Sequence, residues 1–220
     1  MIILDIETSG IYLETHGIWQ IGALDFYNPQ NTFLEEARID DEDEIEPSAL
    51  KVTGTTESYL RNSNKQSQKK LIENFFKWAG TVKIKNPVCQ NPQFDVGFIN
   101  YKARKYNVQS NLSDLDKFTP FYHHSFDLHS IAQTRYEQIN SKLLIEENQS
   151  KMRLSKILEF CGLEDKRIKM KDGEVEKEGS PHNALEDAKL IAECFSRIIC
   201  GKQLLKEFSK YKIPEYLRRN

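Results

Sequence analysis

The chain has 220 residues, 39% of them hydrophobic and 29% charged, with 31 Lys and Arg against 33 Asp and Glu for a net charge of −2. That composition fits one soluble domain with a sizeable core, and no apolar run approaches the length of a membrane span. The balance of charge excludes an overall electrostatic attraction to nucleic acid, so a polyanionic partner would need local basic patches, bound metal, or both. The first residues lack the basic region of a signal peptide, and Asp5 interrupts the apolar run at once. The four cysteines, Cys89, Cys161, Cys194 and Cys200, show no paired spacing and read as reduced thiols of a cytoplasmic protein.

In chain order, the opening predicts a β-meander: strands over 2–7, 18–26 and roughly 31–39, parted by "TSG" and by the Asn-Pro turn of "YNPQN". The acidic run 35–47 lacks the glycine and spacing of a calcium loop and is expected to be a solvated strand end and loop. A short helix over 47–54 is stopped by Gly54, and an amphipathic helix follows near 66–79. Next come a short strand at 87–90, a helix from about 95, and a further strand and helix within "FYHHSFDLHSIAQTRY". A helix over 153–163 closes at Gly162. Residues 164–180 read as a charged loop with room for a two-stranded excursion, and 181–199 as a long amphipathic helix. The tail, 201–220, is basic. The alternation of elements after the meander argues for an α/β layered fold.

Five acids stand out by context. Asp5 and Glu7 lie two apart on one strand and therefore share a face. Such a pair is either a strand end reaching solvent or a divalent-cation site, since close like charges need something positive between them. Asp95, in "QNPQFDVGFI", either serves its helix start or belongs to a site. In "PHNALED", Asn183 as N-cap with Glu186 as capping-box acid explains two residues and leaves His182 and Asp187 unexplained. Asp127 in "SFDLHS" is best read as an N-cap, with His123, His124 and His129 flanking it and no zinc-ligand spacing.

Taken together, "LDIETSG", "NPQFDVGFI" and "HNALEDA" resemble the three motifs of the 3′–5′ exonuclease superfamily with four acidic residues, in its histidine-type (DEDDh) branch. That DnaQ-like branch includes the proofreading epsilon subunit of bacterial replicative polymerase, ribonuclease T and oligoribonuclease. The likeness spans residues 2 to 199, with "IWQIGALDF" and "IEPSALKVTGTT" as lesser matches. It implies a ribonuclease H-like fold with a central mixed five-stranded sheet flanked by helices, an exonuclease domain over 1–200, and a separate basic tail. It assigns metal binding to Asp5, Glu7, Asp95 and Asp187 and the general base to His182, and it points to Thr8 for the substrate's 3′ end, with Asn91 and Phe94 as candidates for contacting the scissile end or shaping the metal pocket. Gln20 departs from the pattern, standing where many relatives carry an acid, and "DLHS" replaces the more usual Asp-Thr pair.

The chemistry suits those residues. Hydrolysis of a phosphodiester by two divalent ions about 3.5–4 Å apart asks for hard oxygen ligands, which Mg²⁺ or Mn²⁺ prefer. An imidazole, with an ordinary pKa of ~6.5, suits a general base near neutral pH. The reading is thus a metal-dependent 3′–5′ exonuclease on single-stranded DNA or RNA ends. Its alternatives are a proofreading subunit with a polymerase partner and a non-catalytic nucleic-acid-binding domain; a homo-oligomer is a further possible assembly. Lys102, Arg104 and Lys105, and Lys166, Arg167, Lys169 and Lys171, are candidates for tracking the phosphate backbone, and Lys202 to Arg219 for binding a partner.

Overall fold

The computed structural model describes residues 1–110, 117–171 and 174–219. Three strands open the chain: β1 (Ile2–Thr8), β2 (Ile18–Asp25) and β3 (Asn28–Glu36). They form the expected antiparallel meander. β4 (Pro87–Cys89) then pairs parallel to β1, and β5 (Phe126–Asp127) parallel to β4, completing a mixed five-stranded sheet in the order β3-β2-β1-β4-β5. The β2–β3 turn falls on Phe26 and Tyr27, earlier than the Asn-Pro signal. Asp25 makes that turn: its Oδ1 accepts from Tyr27 N at 3.1 Å and from the chain amino terminus at 3.2 Å. Pro29 therefore sits inside β3, an edge strand, where a missing N–H is tolerated.

Helices cover both faces. α1 (Pro47–Thr53), α2 (Glu57–Leu60) and α3 (Gln68–Ala79) precede β4. α4 (Pro92–Lys105) follows it, and α5 (Leu128–Asn140) follows β5. α6 (Leu154–Phe160) and α7 (Ala184–Cys200) complete the set. Strand alternation sorts the core. Ile2, Leu4 and Ile6 of β1 join Leu71, Phe75 and Phe76 of α3 and Phe98 and Ile99 of α4 in one apolar layer. Met1 and Ile3 face the opposite layer, with Leu128 of α5, Ile157 and Leu158 of α6, and Ala188, Ile191 and Phe195 of α7. Asp5 and Glu7 continue the face of Ile3, towards α7.

Two short hairpins lie outside the sheet. β6 (Ile145–Glu146) and β7 (Gln149–Ser150) form one that the sequence reading lacks, turning on Glu147 and Asn148, both at positive φ. β8 (Lys169–Lys171) and β9 (Glu174–Lys177) form the excursion expected in the long loop. The tail does not hang free. Leu205 and Leu217 are buried, and Phe208, Tyr211 and Ile213 pack on the α5–α7 layer. Arg197 of α7 holds the segment down by donating to the carbonyls of Tyr211 at 3.1 Å and Cys161 at 2.9 Å. The four cysteines are free thiols, three of them buried.

Two expectations about charge are corrected. Asp43, in the run read as solvated, is 2% exposed and accepts from Lys102 Nζ at 3.0 Å and Gln68 Nε2 at 2.6 Å. Lys102 is itself fully buried, and Lys105 is paired with Asp40 and Glu42 at 3.1 Å each. Lys102 and Lys105 are therefore engaged with acids and do not track a phosphate backbone. The reason is helical geometry: Lys102 falls on the face that carries Phe98 and Ile99 inward, and an acid 59 residues away meets it there.

Candidate active site

At the C-terminal end of β1, three elements bring acids together. β1 contributes Asp5 and Glu7 from one face. α4 begins at Pro92, three residues before the expected start, because Pro92 occupies the first helical turn after Asn91 in the left-handed region at φ 81°. That start puts Asp95 within reach of β1, where its Oδ1 accepts from Ile6 N at 3.2 Å. α7 contributes Asp187, one turn past its N-cap. Asn183 is that cap, its side chain accepting from Leu185 N and Glu186 N at 3.1 and 3.2 Å. Glu186 pairs with Lys189 at 2.7 Å in place of the expected capping-box bond.

The docking of α7 depends on two residues of β2. A Cβ on Gly22 would lie 2.1 Å from the backbone of Ala184 and Leu185, so the helix start crosses β2 at a distance only glycine permits. Gln20 Oε1 accepts from Ala184 N at 2.7 Å, while its Nε2 donates to Glu36 at 3.0 Å. Gln20, the departure from the acidic pattern, thus anchors the helix that carries Asp187.

The four acids are buried or nearly so: Glu7 is 8%, Asp95 4% and Asp187 3% exposed. Burial, then the neighbouring charges of Asp187 and Asp95, push the carboxyls of Asp5 and Glu7 well above the usual carboxylate range. Burial also pushes Asp95 up to about 8, against the Ile6 N–H that holds it down. Arg167 is the one cation that offsets Asp5 and Glu7 among the described residues. The ligand atoms of Glu7, His182 and Asp187 lie within 4.8 Å of one another. His182 precedes the α7 cap, fixed by its backbone N–H to Val52 O at 3.1 Å. Its Nε2 lies 3.0 Å from Ile168 O and its Nδ1 3.4 Å from Asp187 Oδ2, so both ring nitrogens face oxygens that only accept.

Two clefts meet at Asp5. One, of about 440 Å³, is lined by Asp5, Gln90, Asn91, Phe94, Asp95, Asp127 and His129. The other, of about 370 Å³, is lined by Asp5, Glu7, Arg153, Arg167, Lys169, His182 and Asp187, among others. The structure thus brings Asp5, Glu7, Asp95, Asp187 and His182 together and places Asn91 and Phe94 at the cleft wall. Thr8 lines neither cleft, and its hydroxyl donates to Gly10 O at 2.6 Å. Asp127 caps α5 as expected, accepting from His129 N and Ser130 N. His123 and His124 are exposed, whereas His129, read as merely helix-flanking, borders the first cleft. Arg167 and Gln20 are the residues whose place at the site the sequence reading lacks.

The sequence model of the exonuclease family RNase_T matches residues 2–150. The chain belongs to this exonuclease family. The matched stretch contains the motifs of Asp5, Glu7 and Asp95, and the fold adds the third, on α7, beyond its end. The chain is 30% identical over 120 residues to the DNA polymerase III subunit epsilon of Haemophilus influenzae, an alignment covering 52% of this chain and 45% of that one. It is 25% identical to the epsilon subunit of Buchnera aphidicola over a 230-residue alignment that spans the whole chain and 78% of the relative. The chain thus covers less than half of the first relative's length. Its fold matches the nuclease domain of 3′hExo, described as a DEDDh family member bound to rAMP, with a TM-score of 0.60 at 18% identity over 97% of this chain and 95% of that one. The architecture is accordingly the ribonuclease H-like one of the DEDDh, DnaQ-like exonucleases.

Proposed function

We propose that the chain is a metal-dependent 3′–5′ exonuclease that removes nucleotides from single-stranded DNA or RNA ends, with Asp5, Glu7, Asp95 and Asp187 as metal ligands and His182 as general base. The observation that carries this reading is the convergence of four acids, buried or nearly so, and one histidine, with Arg167 the one cation among the described residues that offsets Asp5 and Glu7. Family members use divalent ions, and the donors here fit them: all four acids offer hard oxygens, and Asp187 Oδ1 is buried with no hydrogen-bond partner among the described residues. Mg²⁺ or Mn²⁺, as two ions held by those four carboxylates, would lower the pKa of a bound water and neutralise charge at phosphorus.

The chain's own groups supply the rest. As general base, His182 would take a proton from an attacking water, and Asp187, 3.4 Å from its Nδ1, stabilises the imidazolium that results. Ile168 O, 3.0 Å from Nε2, helps fix the ring's orientation. The wall of Asn91 and Phe94 borders Asp5 and Asp95 on the side away from His182, where a terminal nucleotide can lie against an aromatic ring. Thr8, at the strand end, is kept as a backbone contact for that nucleotide. Reduced thiols agree with a cytoplasmic site of action, and no helix among the described residues is long and apolar enough to cross a membrane.

The test is release of mononucleotides from a 3′-labelled oligonucleotide, run on DNA and RNA with Mg²⁺ or Mn²⁺ and again with a chelator. Release from the 3′ end that stops on chelation is expected; none from either polymer defeats the reading. The epsilon subunits among the relatives favour one elaboration, that the chain proofreads beside a polymerase.

A further inference from the structure

The long charged segment before α7 does more than connect. It is closed at its base by Ile168 N to Ser180 O at 2.9 Å and Ser180 N to Lys166 O at 2.8 Å. Its β8–β9 end is tied to α1 by Lys51 Nζ to Glu174 Oε1 at 2.7 Å. From this strap Arg167 reaches the acid cluster. Its Nε and Nη2 donate to Asp165 Oδ1 and Oδ2 at 3.0 and 3.2 Å, and its Nη1 to Asp187 Oδ2 at 3.0 Å. The two-pronged grip of Asp165 holds the guanidinium at the cleft wall independently of Asp187. Its charge is permanent, because a guanidinium is not deprotonated in a protein.

Asp187 is thereby divided between two tasks. Oδ2 is shared by Arg167 and His182, while Oδ1 is buried without a partner among the described residues. A divalent ion arriving at Oδ1 meets the guanidinium across a single carboxylate, and like charges at that range repel in a partly buried site. The ion also draws off the negative charge that holds Nη1. Arg167 lines the same cleft as Arg153 and Lys169, so three cations wall a space that opens onto the acids.

We propose that Arg167 is the resident counter-cation of the active site: it balances Asp187 in the metal-free protein and, once divalent ions occupy the acids, turns Nη1 to the phosphate of the bound 3′ nucleotide. This rests on the metal-dependent reading above. Arg167 then disfavours metal and favours nucleotide, two effects of opposite sign from one side chain. A merely structural arginine gives neither.

The experiment measures Mn²⁺ binding to the full chain without nucleic acid, then binding of AMP and dTMP at saturating Mn²⁺, for the wild type, Arg167→Gln, Arg167→Lys and Asp165→Asn. Arg167→Gln is expected to bind Mn²⁺ roughly tenfold more tightly, the repelling charge being gone, and to bind both nucleotides roughly tenfold more weakly, one charge-assisted bond being lost. Arg167→Lys keeps the charge and stays near the wild type for Mn²⁺. Asp165→Asn frees the guanidinium from the wall and lowers nucleotide affinity with little change for Mn²⁺, which covers the case in which Arg167→Gln does not fold. Equal or weaker Mn²⁺ binding by folded Arg167→Gln, or unchanged nucleotide affinity, overturns the proposal. A wild type that binds no Mn²⁺ overturns the exonuclease reading itself.

Discussion

Two clusters of buried charge sit at opposite ends of α7, and they differ in what they leave undone. Near its C-terminal end, Glu193 and Arg197 are fully buried and fully engaged. Arg197 Nε donates to Glu193 Oε1 at 2.7 Å, Glu193 Oε2 accepts from Leu204 N and Leu205 N at 2.9 Å each, and the remaining guanidinium nitrogens reach carbonyls. At its N-terminal end, Asp187 joins three more acids against one arginine, with an oxygen left unpartnered among the described residues. Burial of charge is common to both; imbalance belongs to one. A satisfied pair fixes structure, while an excess of carboxylates marks a place prepared for cations.

The sharpest way to break this comparison is to remove one acid from each end. Asp187→Ala is expected to lower the rate of nucleotide release by about 10³-fold, the scale of several kcal/mol of lost transition-state stabilisation, while the metal-free protein stays as stable as the wild type or gains stability. At the other end, Arg197→Ala is expected to cost about 3–5 kcal/mol of folding stability by leaving Glu193 buried and unpaired. Urea unfolding and the nuclease assay on both variants decide the matter. An Asp187→Ala protein that unfolds like Arg197→Ala would make the acid cluster a second structural node.

How much of this was legible beforehand follows from the range of the interactions involved. Alternation along β1 put Asp5 and Glu7 on one face, and local capping rules gave Asn183 and Asp127 their roles, because each depends on residues a few positions away. The β6–β7 hairpin had a usable sign, Asn148 at a left-handed turn position within "IEENQS", too short a run to register as strands. Lys102 could not be read: helical spacing makes it a neighbour of Phe98, and only the fold brings Asp43 from 59 residues away. The same holds for Arg167, 20 residues before Asp187 in a segment whose composition reads as solvated, and for Gln20, whose partner lies 164 residues on.

A smaller effect sharpens the contrast through pH. Asp95 ionises at about 8 in the folded chain against an ordinary 3.8, so between those values the folded state holds a proton that the unfolded chain has released. Stability of the metal-free protein therefore falls as pH rises through that window, and the raised carboxyls of Asp5 and Glu7 act in the same sense. Glu36, Asp40 and Asp165, held below their ordinary values, act in the opposite sense but at lower pH. Melting temperature without metal should drop by a few degrees from pH 5 to pH 8, and less so in Asp95→Asn. A melting temperature that rises over that interval would mean that the acids are already compensated.

The smallest expected effect concerns Lys105 of α4, a candidate for tracking phosphate that the fold pairs with acids. Lys105 is about a quarter exposed and engaged by Asp40 and Glu42, both at 3.1 Å. Exposed pairs of this kind contribute roughly 0–1 kcal/mol, so Lys105→Ala should alter folding stability by less than about 1 kcal/mol. Because its charge is already spent on acids, the same variant should leave oligonucleotide affinity and its salt dependence unchanged. A phosphate-contacting lysine removed from the nucleic-acid path instead flattens the salt dependence by about one counterion. Titration of a labelled oligonucleotide against wild type and variant at several salt concentrations separates these outcomes, and a reduced slope for Lys105→Ala would return α4 to the binding surface.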